Sequence, residues 1–428
     1  AGSSDALALA LAARRARAAK RMLVVISAEP RSAQRLAEEI PWFAPELQVA
    51  MLPDWETLPY DHFSPHQDLV SERLATVWRI ARSDCDVVVL AATTALYRLA
   101  PPSFLAAFTF FLRQGTTLDV ESLRGQLSLA GYSNVTQVVS PGEFSIRGGL
   151  IDLFPMGSPL PYRIDLFDND IESIKTFDVD TQRTIYPVPE IRLLPAREFP
   201  LDDAGRTRFR SRYREVFEGD PSKSALYKDI SNGVVPGGVE YYLPLFFEGT
   251  ATLADYLAPS AVIALHGDVR PAIERFWQDT DSRYRLLRGD KGRPLLPPAE
   301  LFLPEDGFNG MLKAFGRVEL ATGGDGPTAP VPPVSVDRRA DDPLAALKRY
   351  LATTPLKVAI VAESGGRRET MQHYFAEYGL APPLGDDLAA FLASRDRVML
   401  LAAPVAAGFE WREGGLAFIT LDRPQARN

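Results

Sequence analysis

The sequence has little cysteine, little histidine and no long apolar run. Its single cysteine, Cys85, cannot form an internal disulfide, which is typical of the reducing cytoplasm and predicts a cytoplasmic protein with an inert, buried thiol. No apolar stretch reaches the ~20 residues that a membrane-spanning helix needs, so we predict no membrane association. His62 and His66 have the i, i+4 spacing of zinc ligands, but Pro65 lies between them and favours a structural loop over a metal site.

The chain also has fewer basic residues than acidic residues. The 428 residues include 47 Lys and Arg against 55 Asp and Glu, and the net charge of −8 disfavours a protein whose main task is to coat nucleic-acid phosphates. A negative net charge still allows local basic patches on the surface. The share of apolar residues, 46%, is typical of a globular protein, and the length predicts two to four domains. Because the sequence does not begin with methionine, we expect it to be part of a longer protein.

The motifs of a nucleotide-hydrolysing fold are missing as well. Such a fold needs a glycine-rich loop with a lysine before its first helix, whereas this chain begins AGSSDALALA. The acidic residue that should end a later strand is also missing, because the strand VIALHGD offers His266 and Gly267 before Asp268. No GxSxG nucleophile motif occurs. We therefore predict that this chain is not an enzyme and that it binds no ATP, no other cofactor and no metal.

What the sequence does contain is a regular alternation of helices and strands over residues 1–105. The helices are predicted in the alanine-rich run 6–20, in RSAQRLAEEIPWF and in SERLATVWRIARSD, and the strands in MLVVIS, LQVAMLP and DVVVLA. This alternation predicts a parallel sheet with helices on both faces. It returns over 196–322 with the helix TRFRSRYREVFEG and the strand VIALH, so both segments are predicted to form one α/β domain with an insertion.

The inserted segment, residues 106–195, has a different pattern. A helix is predicted from Asp119 to Ala130, followed by stretches that alternate apolar and polar residues: TQVVS, FSIRGGLIDLF, YRIDLFDNDIESIKTFD and EIRLLPA. Gly148-Gly149 and MGSPLP supply turns. The segment is therefore predicted to be an antiparallel, β-rich α+β domain.

The last part of the chain begins with a segment rich in proline and glycine, GGDGPTAPVPPVS, which predicts a linker over residues 323–340. Renewed alternation after it predicts a small α/β domain over 341–428. Within this domain, SGGRR at 364–368 lies between a strand and a helix. The motif is compatible with an anion site at the helix amino terminus, but a plain turn with an exposed pair of arginines is favoured.

Several stretches closely resemble the amino-terminal part of the bacterial transcription-repair coupling factors. They are LPDWETLPYDHFSPHQD at 52–68, SIRGGLIDLFPMGSPLPYRIDLFDNDIESIKTFDVDTQRT at 145–184, GVEYYLPLFF at 238–247, RPLLPPAELFL at 293–303 and AESGGRRE at 362–369. The resemblance covers nearly the whole chain. It implies a module similar to the excision-repair protein UvrB: a degenerate RecA-like domain in two parts, 1A (1–105) and 1B (196–322), an inserted domain 2 (106–195), and a separate domain 3 (341–428).

The resemblance also implies that domain 2 binds UvrA. The family's binding residues fall on Arg147 in SIRG, Arg163 in PYR and Phe167 in RIDLF. Strand alternation places Arg163 and Phe167 on one face and Ile164 on the other, so we expect an arginine and an aromatic ring to project outward together. Judged without the family, the favoured interpretation would be an ordinary exposed arginine, with Phe167 partly buried in its own domain.

The implied function is a non-catalytic module that recruits UvrA to RNA polymerase stalled at damaged DNA. In this family a carboxy-terminal domain of the same protein is expected to cover domain 2, and RNA polymerase and DNA are expected to bind regions outside this chain. The alternatives are an ATP-dependent DNA translocase or helicase domain and a direct DNA-binding module. The missing phosphate loop disfavours the first, and the net charge disfavours the second.

Overall fold

A computed structural model describes residues 2–320 and 326–421. The junction between predicted domain 1B and the linker, at 321–325, and the end of predicted domain 3, at 422–428, lie outside the described residues. Within the described chain, the strands form a parallel sheet, a mainly antiparallel sheet, a second mixed sheet and a two-stranded ribbon.

The first segment alternates helices and short strands, as predicted. In chain order these elements are α1 (Ser4–Ala18), β1 (Leu23–Ser27), α2 (Pro30–Phe43), β2 (Val49–Met51), α3 (Gln67–Ala81), β3 (Val87–Ala91), α4 (Ala92–Ala95) and α5 (Pro102–Phe108). Every residue of β1 and β3 is buried. Both strands are covered on two faces, which explains why their sequences are continuously apolar and do not alternate.

Domain 2 follows with one helix and most of the antiparallel pairing. Its elements are β4 (Phe110–Arg113), α6 (Val120–Leu129), β5 (Ser133–Asn134), β6 (Glu143–Arg147), β7 (Leu150–Leu153), β8 (Tyr162–Phe167), β9 (Asp170–Phe177), β10 (Thr184–Pro187) and β11 (Glu190–Leu193). The main sheet has the order β10-β9-β8-β7-β6-β5, with all pairs antiparallel except β5 with β6. Strands β4 and β11 form the separate ribbon.

One predicted strand of domain 2 is wrong. TQVVS, residues 136–140, forms no strand, because its backbone donors are bound by a side chain: the carboxylate of Glu143 accepts the N–H groups of Val139 and Ser140 at 2.9 and 3.0 Å. Val138 is buried in a small cluster with Phe154 and Phe177. The apolar residues of this stretch therefore mark a packed loop.

The third segment completes the parallel sheet. It contains α7 (Asp203–Val216), α8 (Ala225–Ser231), α9 (Leu253–Tyr256), β12 (Val262–His266), α10 (Val269–Leu287), α11 (Pro298–Leu301), α12 (Glu305–Leu312) and β13 (Gly316–Leu320), with 3₁₀ turns at Pro221–Lys223 and Val239–Phe246. The sheet order is β13-β12-β1-β3-β2, and all pairs are parallel. Leu23 of β1 pairs with Val87 on one side and Val262 on the other. The predicted α/β domain with an inserted antiparallel domain is confirmed.

Domain 3 has its own sheet. Its elements are β14 (Thr328–Ala329), α13 (Ala345–Thr353), β15 (Lys357–Ala362), α14 (Gly365–Glu377), β16 (Leu384–Gly385), α15 (Leu388–Ala393), β17 (Val398–Ala402), β18 (Phe409–Trp411) and β19 (Leu416–Thr420). The order is β14-β18-β19-β15-β17-β16. Strand β14 comes from the predicted linker and pairs antiparallel with β18 at the sheet edge, so part of the linker belongs to this domain.

The parallel sheet separates two cores. Val24 and Ile26 of β1 face a core that continues into domains 1B and 2, whereas Leu23 and Val25 face the helices α1 and α2. Apolar residues of domain 3 close this second core, and Phe418 packs edge to face on Phe43 with a ring distance of 5.6 Å. Domain 3, expected to be separate, therefore shares a core with the RecA-like sheet.

Candidate protein-docking site on domain 2

A tight hairpin between β6 and β7 sets the register of the candidate site. Gly148 forms the turn with a φ of +60°, a conformation that favours glycine, and a Cβ on Gly149 would lie 3.1 Å from the carbonyl oxygen of Leu166. This turn pairs Arg147 with Leu150, and further along the strands it pairs Ser145 with Asp152. The glycine pair thereby brings a carboxylate to the strand that carries Arg147.

Asp152 is the centre of the site, and the sequence analysis missed it. Its side chain is only 2% exposed. It lies opposite Arg163 on β8 and accepts two hydrogen bonds from that guanidinium, Nε to Oδ1 at 2.7 Å and Nη2 to Oδ2 at 3.0 Å. Arg147 donates from Nη2 to Oδ2 at 3.1 Å. One buried carboxylate therefore holds both predicted arginines, and the turn-defined register was the sequence signal that could have revealed it.

Arg163 does not project freely, contrary to the expectation from strand alternation. Its side chain is 18% exposed, its Nη1 donates to the carbonyl oxygen of Gln182 at 2.9 Å, and its guanidinium lies 4.7 Å from the ring centre of Phe177. The hydrogen bond to Asp152 raises the pKa of Arg163 above its ordinary value, although burial lowers it. These contacts satisfy most of the guanidinium inside domain 2, because both the carboxylate and the ring lie beneath it.

Arg147 and Phe167 are the accessible members of the predicted set. The side chain of Arg147 is 57% exposed, and Phe167 is 69% exposed. Phe167 ends β8, pairs with Asp170 and precedes Asp168, whose φ of +53° turns the chain into β9. Phe167 lies four positions after Arg163, about 13 Å along β8. The structure therefore brings the two arginines together and leaves the ring at the far end of the same strand.

The arrangement has the composition of a protein-binding surface. An exposed aromatic ring and an exposed guanidinium on two adjacent hairpins are the residue types that are enriched in protein interfaces. Among residues 2–320 and 326–421, no group of three or more His, Cys, Asp or Glu side chains could hold a metal ion. None of the helices that the structure describes is long and apolar enough to cross a membrane.

The amino terminus of α1 is the position that the sequence analysis compared with a phosphate loop. Domain 3 contacts it directly: the Ser3 N–H donates to the Ala407 carbonyl oxygen at 2.9 Å, and the Ala407 N–H donates to Ser3 Oγ at 3.1 Å. Glu39, which is fully buried, accepts from Ser3 Oγ and from the Ala406 N–H, both at 2.8 Å. A Cβ on Gly2 would collide with the carbonyl oxygen of Gly408.

An internal ion-pair network lies beside this contact. Asp5 in the first turn of α1 bonds to Nε2 of His266 at 2.7 Å and accepts from Nη1 of Arg35 at 3.0 Å. Burial raises the pKa of Asp5, but the hydrogen bonds from His266 and Arg35 outweigh it and hold that pKa well below its usual range. His266, the residue found where an acidic strand end was sought, thus pairs with a residue of the chain itself.

Comparisons with known proteins bear on both regions. A family model of the UvrB interaction domain matches residues 110–199, and a model described as MFD, D3 domain matches residues 350–421. The transcription-repair-coupling factor of Escherichia coli strain K12 is 40% identical over 369 residues, which are 84% of this chain and 32% of that protein. The chain belongs to the transcription-repair coupling factor family.

Other members of the transcription-repair coupling factor family are similar over stretches of different length. The Haemophilus influenzae factor is 37% identical over 399 residues, 91% of this chain and 34% of that protein. The Bacillus subtilis factor is 27% identical over 248 residues, 54% of this chain and 21% of that protein. The chain spans about a third of the length of the first two relatives. The match to the UvrB interaction domain contains Arg147, Asp152, Arg163 and Phe167.

Proposed function

We propose that this chain is a non-catalytic module that recruits UvrA through domain 2, so that stalled transcription is coupled to nucleotide excision repair. The match of residues 110–199 to the UvrB interaction domain supports this proposal. The observation that carries it is the exposure of Phe167 and Arg147 on hairpins braced by the buried Asp152–Arg163 pair. A braced pair of exposed interface residue types is suited to recognising a protein partner, because little side-chain freedom is lost on binding.

The three predicted residues would act in different ways. Phe167 would fill an apolar pocket on UvrA, and Arg147 would donate its free N–H groups to a UvrA carboxylate. Arg163 would act mainly as a positioning residue, because Asp152, Gln182 and Phe177 already engage its guanidinium. The whole protein would bind RNA polymerase and DNA through regions outside this chain, and its carboxy-terminal domain would cover the same face of domain 2 until UvrA is recruited.

We also propose that this chain binds no nucleotide at the amino terminus of α1. A phosphate would need the free N–H groups of that helix end, and the Ala406–Gly408 loop lies against it. Asp5 adds a negative charge at the same position. A titration with fluorescent ATP should show no saturable binding, and micromolar binding would favour the translocase alternative.

The test of UvrA recruitment is a pull-down of purified UvrA by the purified chain and its variants. Phe167→Ala and Arg147→Glu should each weaken binding by about thirtyfold, which corresponds to a loss of about 2 kcal/mol. Phe111→Ala removes a ring of similar exposure, 54%, from β4, and Arg124→Glu reverses a charge on α6. Both control variants should bind like the unmodified chain.

The four substituted side chains are between 37% and 69% exposed, so the melting temperature of every variant should stay within a few degrees of the unmodified chain. Unchanged UvrA binding by both Phe167→Ala and Arg147→Glu would overturn the proposed surface. Equal loss in the Phe111 and Arg124 controls would point to a general charge or folding effect and would also overturn it.

A further inference from the structure

Domain 3 contains a groove that the domain 2 surface does not use. It lies between α14 and residues 335–339, which form the last part of the predicted linker. Its volume is about 550 Å³, within the range of protein pockets that enclose ligands. The groove is therefore large enough to take side chains of a partner.

The floor of the groove is apolar. Met371 and Tyr374 of α14, together with Val336 and Leu421, are half-buried and pack against the core of domain 3, where Phe375 is 1% exposed. The groove-facing positions of α14 follow the spacing i, i+3, i+4, i+7 and i+8 from residue 367, which is one stripe of a helix. One stripe of α14 therefore packs against the core of domain 3 and also lines the open groove.

Two arginines of the segment 335–339 line one edge of the groove. Arg338 and Arg339 lie in a turn in which Asp337 Oδ1 accepts the Arg339 N–H at 3.0 Å and the Asp337 carbonyl oxygen accepts the Ala340 N–H at 3.1 Å. Asp337, the acidic residue that lines the groove, therefore accepts hydrogen bonds from backbone N–H groups of its own turn. Among the described residues, no ion pair or hydrogen bond engages the guanidinium of Arg338 or Arg339.

The opposite rim carries a third arginine, from the SGGRR motif. Ser364 Oγ accepts the Arg367 N–H at 3.2 Å and caps α14, which places Arg367 in the first helical turn. No residue in the described ranges pairs with its guanidinium, whereas the adjacent Arg368 donates to the Gly385 carbonyl oxygen at 2.8 Å. In the SGGRR motif, Arg368 is thus held by the fold of domain 3, whereas Arg367 is available to a ligand. The dipole of α14 adds positive potential at Arg367, which lies at the amino-terminal end of that helix.

We propose that this groove binds an acidic peptide segment of a protein partner. An aliphatic or aromatic side chain of the peptide occupies the floor, and flanking carboxylates pair with Arg338, Arg339 and Arg367. The positive rim is complementary to such a segment, and it stands out on a chain whose net charge is −8. Arginine, tyrosine and methionine are the residue types enriched in protein interfaces.

A nucleic acid fits the same groove less well. Single-stranded binding needs aromatic faces on which successive bases stack. Tyr374 packs against Tyr378 with a ring distance of 5.2 Å, and Phe375 is sealed in the core. The described lining therefore offers guanidinium groups without a stacking platform.

The test uses fluorescence anisotropy with the full 428-residue chain and a fluorescein-labelled peptide of alternating glutamate and leucine. Two matched peptides replace either all leucines by serine or all glutamates by glutamine, and fluorescein-labelled oligothymidylate serves as the nucleic-acid probe. The chain should bind the glutamate-leucine peptide more tightly than any of the other three. Arg338→Glu combined with Arg339→Glu should weaken this binding by about tenfold or more, since each charge-assisted hydrogen bond is worth roughly that factor.

Met371→Glu tests the floor of the groove and should cause a similar loss. Arg349→Glu, which reverses an exposed charge on α13 away from the groove, should leave binding unchanged. Circular dichroism confirms that each variant is folded. Equal binding by the rim variants, equal binding of the serine peptide, or tighter binding of oligothymidylate would each overturn the proposal.

Discussion

Asp152 and Arg163 lie directly opposite each other on β7 and β8, and the guanidinium covers a carboxylate that is almost fully removed from water. A buried charge of this kind is tolerated only with a partner that satisfies its oxygens. Arg163 is therefore required for the stability of domain 2 as well as for any surface that domain 2 presents.

Substitution Arg163→Ala should lower the free energy of unfolding by about 3 kcal/mol, because it leaves the Asp152 carboxylate buried with only Arg147 beside it. Urea unfolding followed by circular dichroism measures this change. Arg147→Ala is the matched control and should cost about 1 kcal/mol or less, since that side chain is 57% exposed. If both variants lost the same small amount, Arg163 would not be the brace of this site.

Glu39→Ala should loosen domain 3 from domain 1. It removes the acceptor of the Ser3 hydroxyl, the Ala406 N–H and Arg35, at a cost of about 2 kcal/mol or more. Hydrogen exchange by mass spectrometry should show faster exchange of the Ala406 and Ala407 amides. Glu38→Ala makes the same change on the exposed side of α2 and should leave these amides protected. Unchanged exchange in the Glu39 variant would mean that apolar packing alone holds the two domains together.

Glu240 should make stability depend on pH. Burial raises its pKa to about 7, although hydrogen bonds such as that from Ser64 Oγ oppose the shift and the nearby Glu198 adds to it. The folded chain therefore binds this proton more tightly than the unfolded chain. Its contribution to stability is fully present below the ordinary carboxyl pKa and is lost as pH rises to about 7.

Glu240→Gln copies the protonated form and should stabilise the chain at pH 8 by about 3 kcal/mol, with almost no effect at pH 4. Thermal unfolding at both pH values measures the difference. Glu218→Gln, at an exposed position, should show no such pH dependence. A stabilisation that is equal at both pH values would contradict a proton held by Glu240.

Cys85 should react slowly with thiol reagents in the folded chain. The residue is 8% exposed, and burial raises its pKa to about 11, so very little thiolate forms at pH 8. Reaction with Ellman's reagent should be slow in buffer and fast in urea, and the ratio of the two rates measures the protection. Fast labelling without urea would show that α3 and the segment after it open readily.

Local sequence patterns predicted the fold well where neighbouring residues alone determine the secondary structure and its burial. The continuously apolar β1 and β3 could be assigned to a buried parallel sheet because no exposed face interrupts them. The TQVVS stretch failed for the opposite reason: its apolar residues pack in a loop, and Glu143 binds the amides that a strand would have paired. A side chain competing for backbone donors leaves the apolar pattern unchanged.

The candidate site was only partly predictable. Arg147, Arg163 and Phe167 followed from a family resemblance, but the different exposure of the two arginines depends on Asp152, whose role requires the strand register. The role of Glu39 could not be predicted from the sequence. Its partner amide at Ala406 is 367 positions away in the chain, and no local pattern reports a contact over that separation.

The packing of Phe418 on Phe43, together with the Ser3 and Glu39 contacts to the Ala406–Gly408 loop, has a mechanical consequence. These contacts tie domain 3 directly to the domain that contains the parallel sheet, so a force on domain 3 is transmitted across this interface and not only through the chain that connects the two domains. Both domains are therefore expected to reorient together.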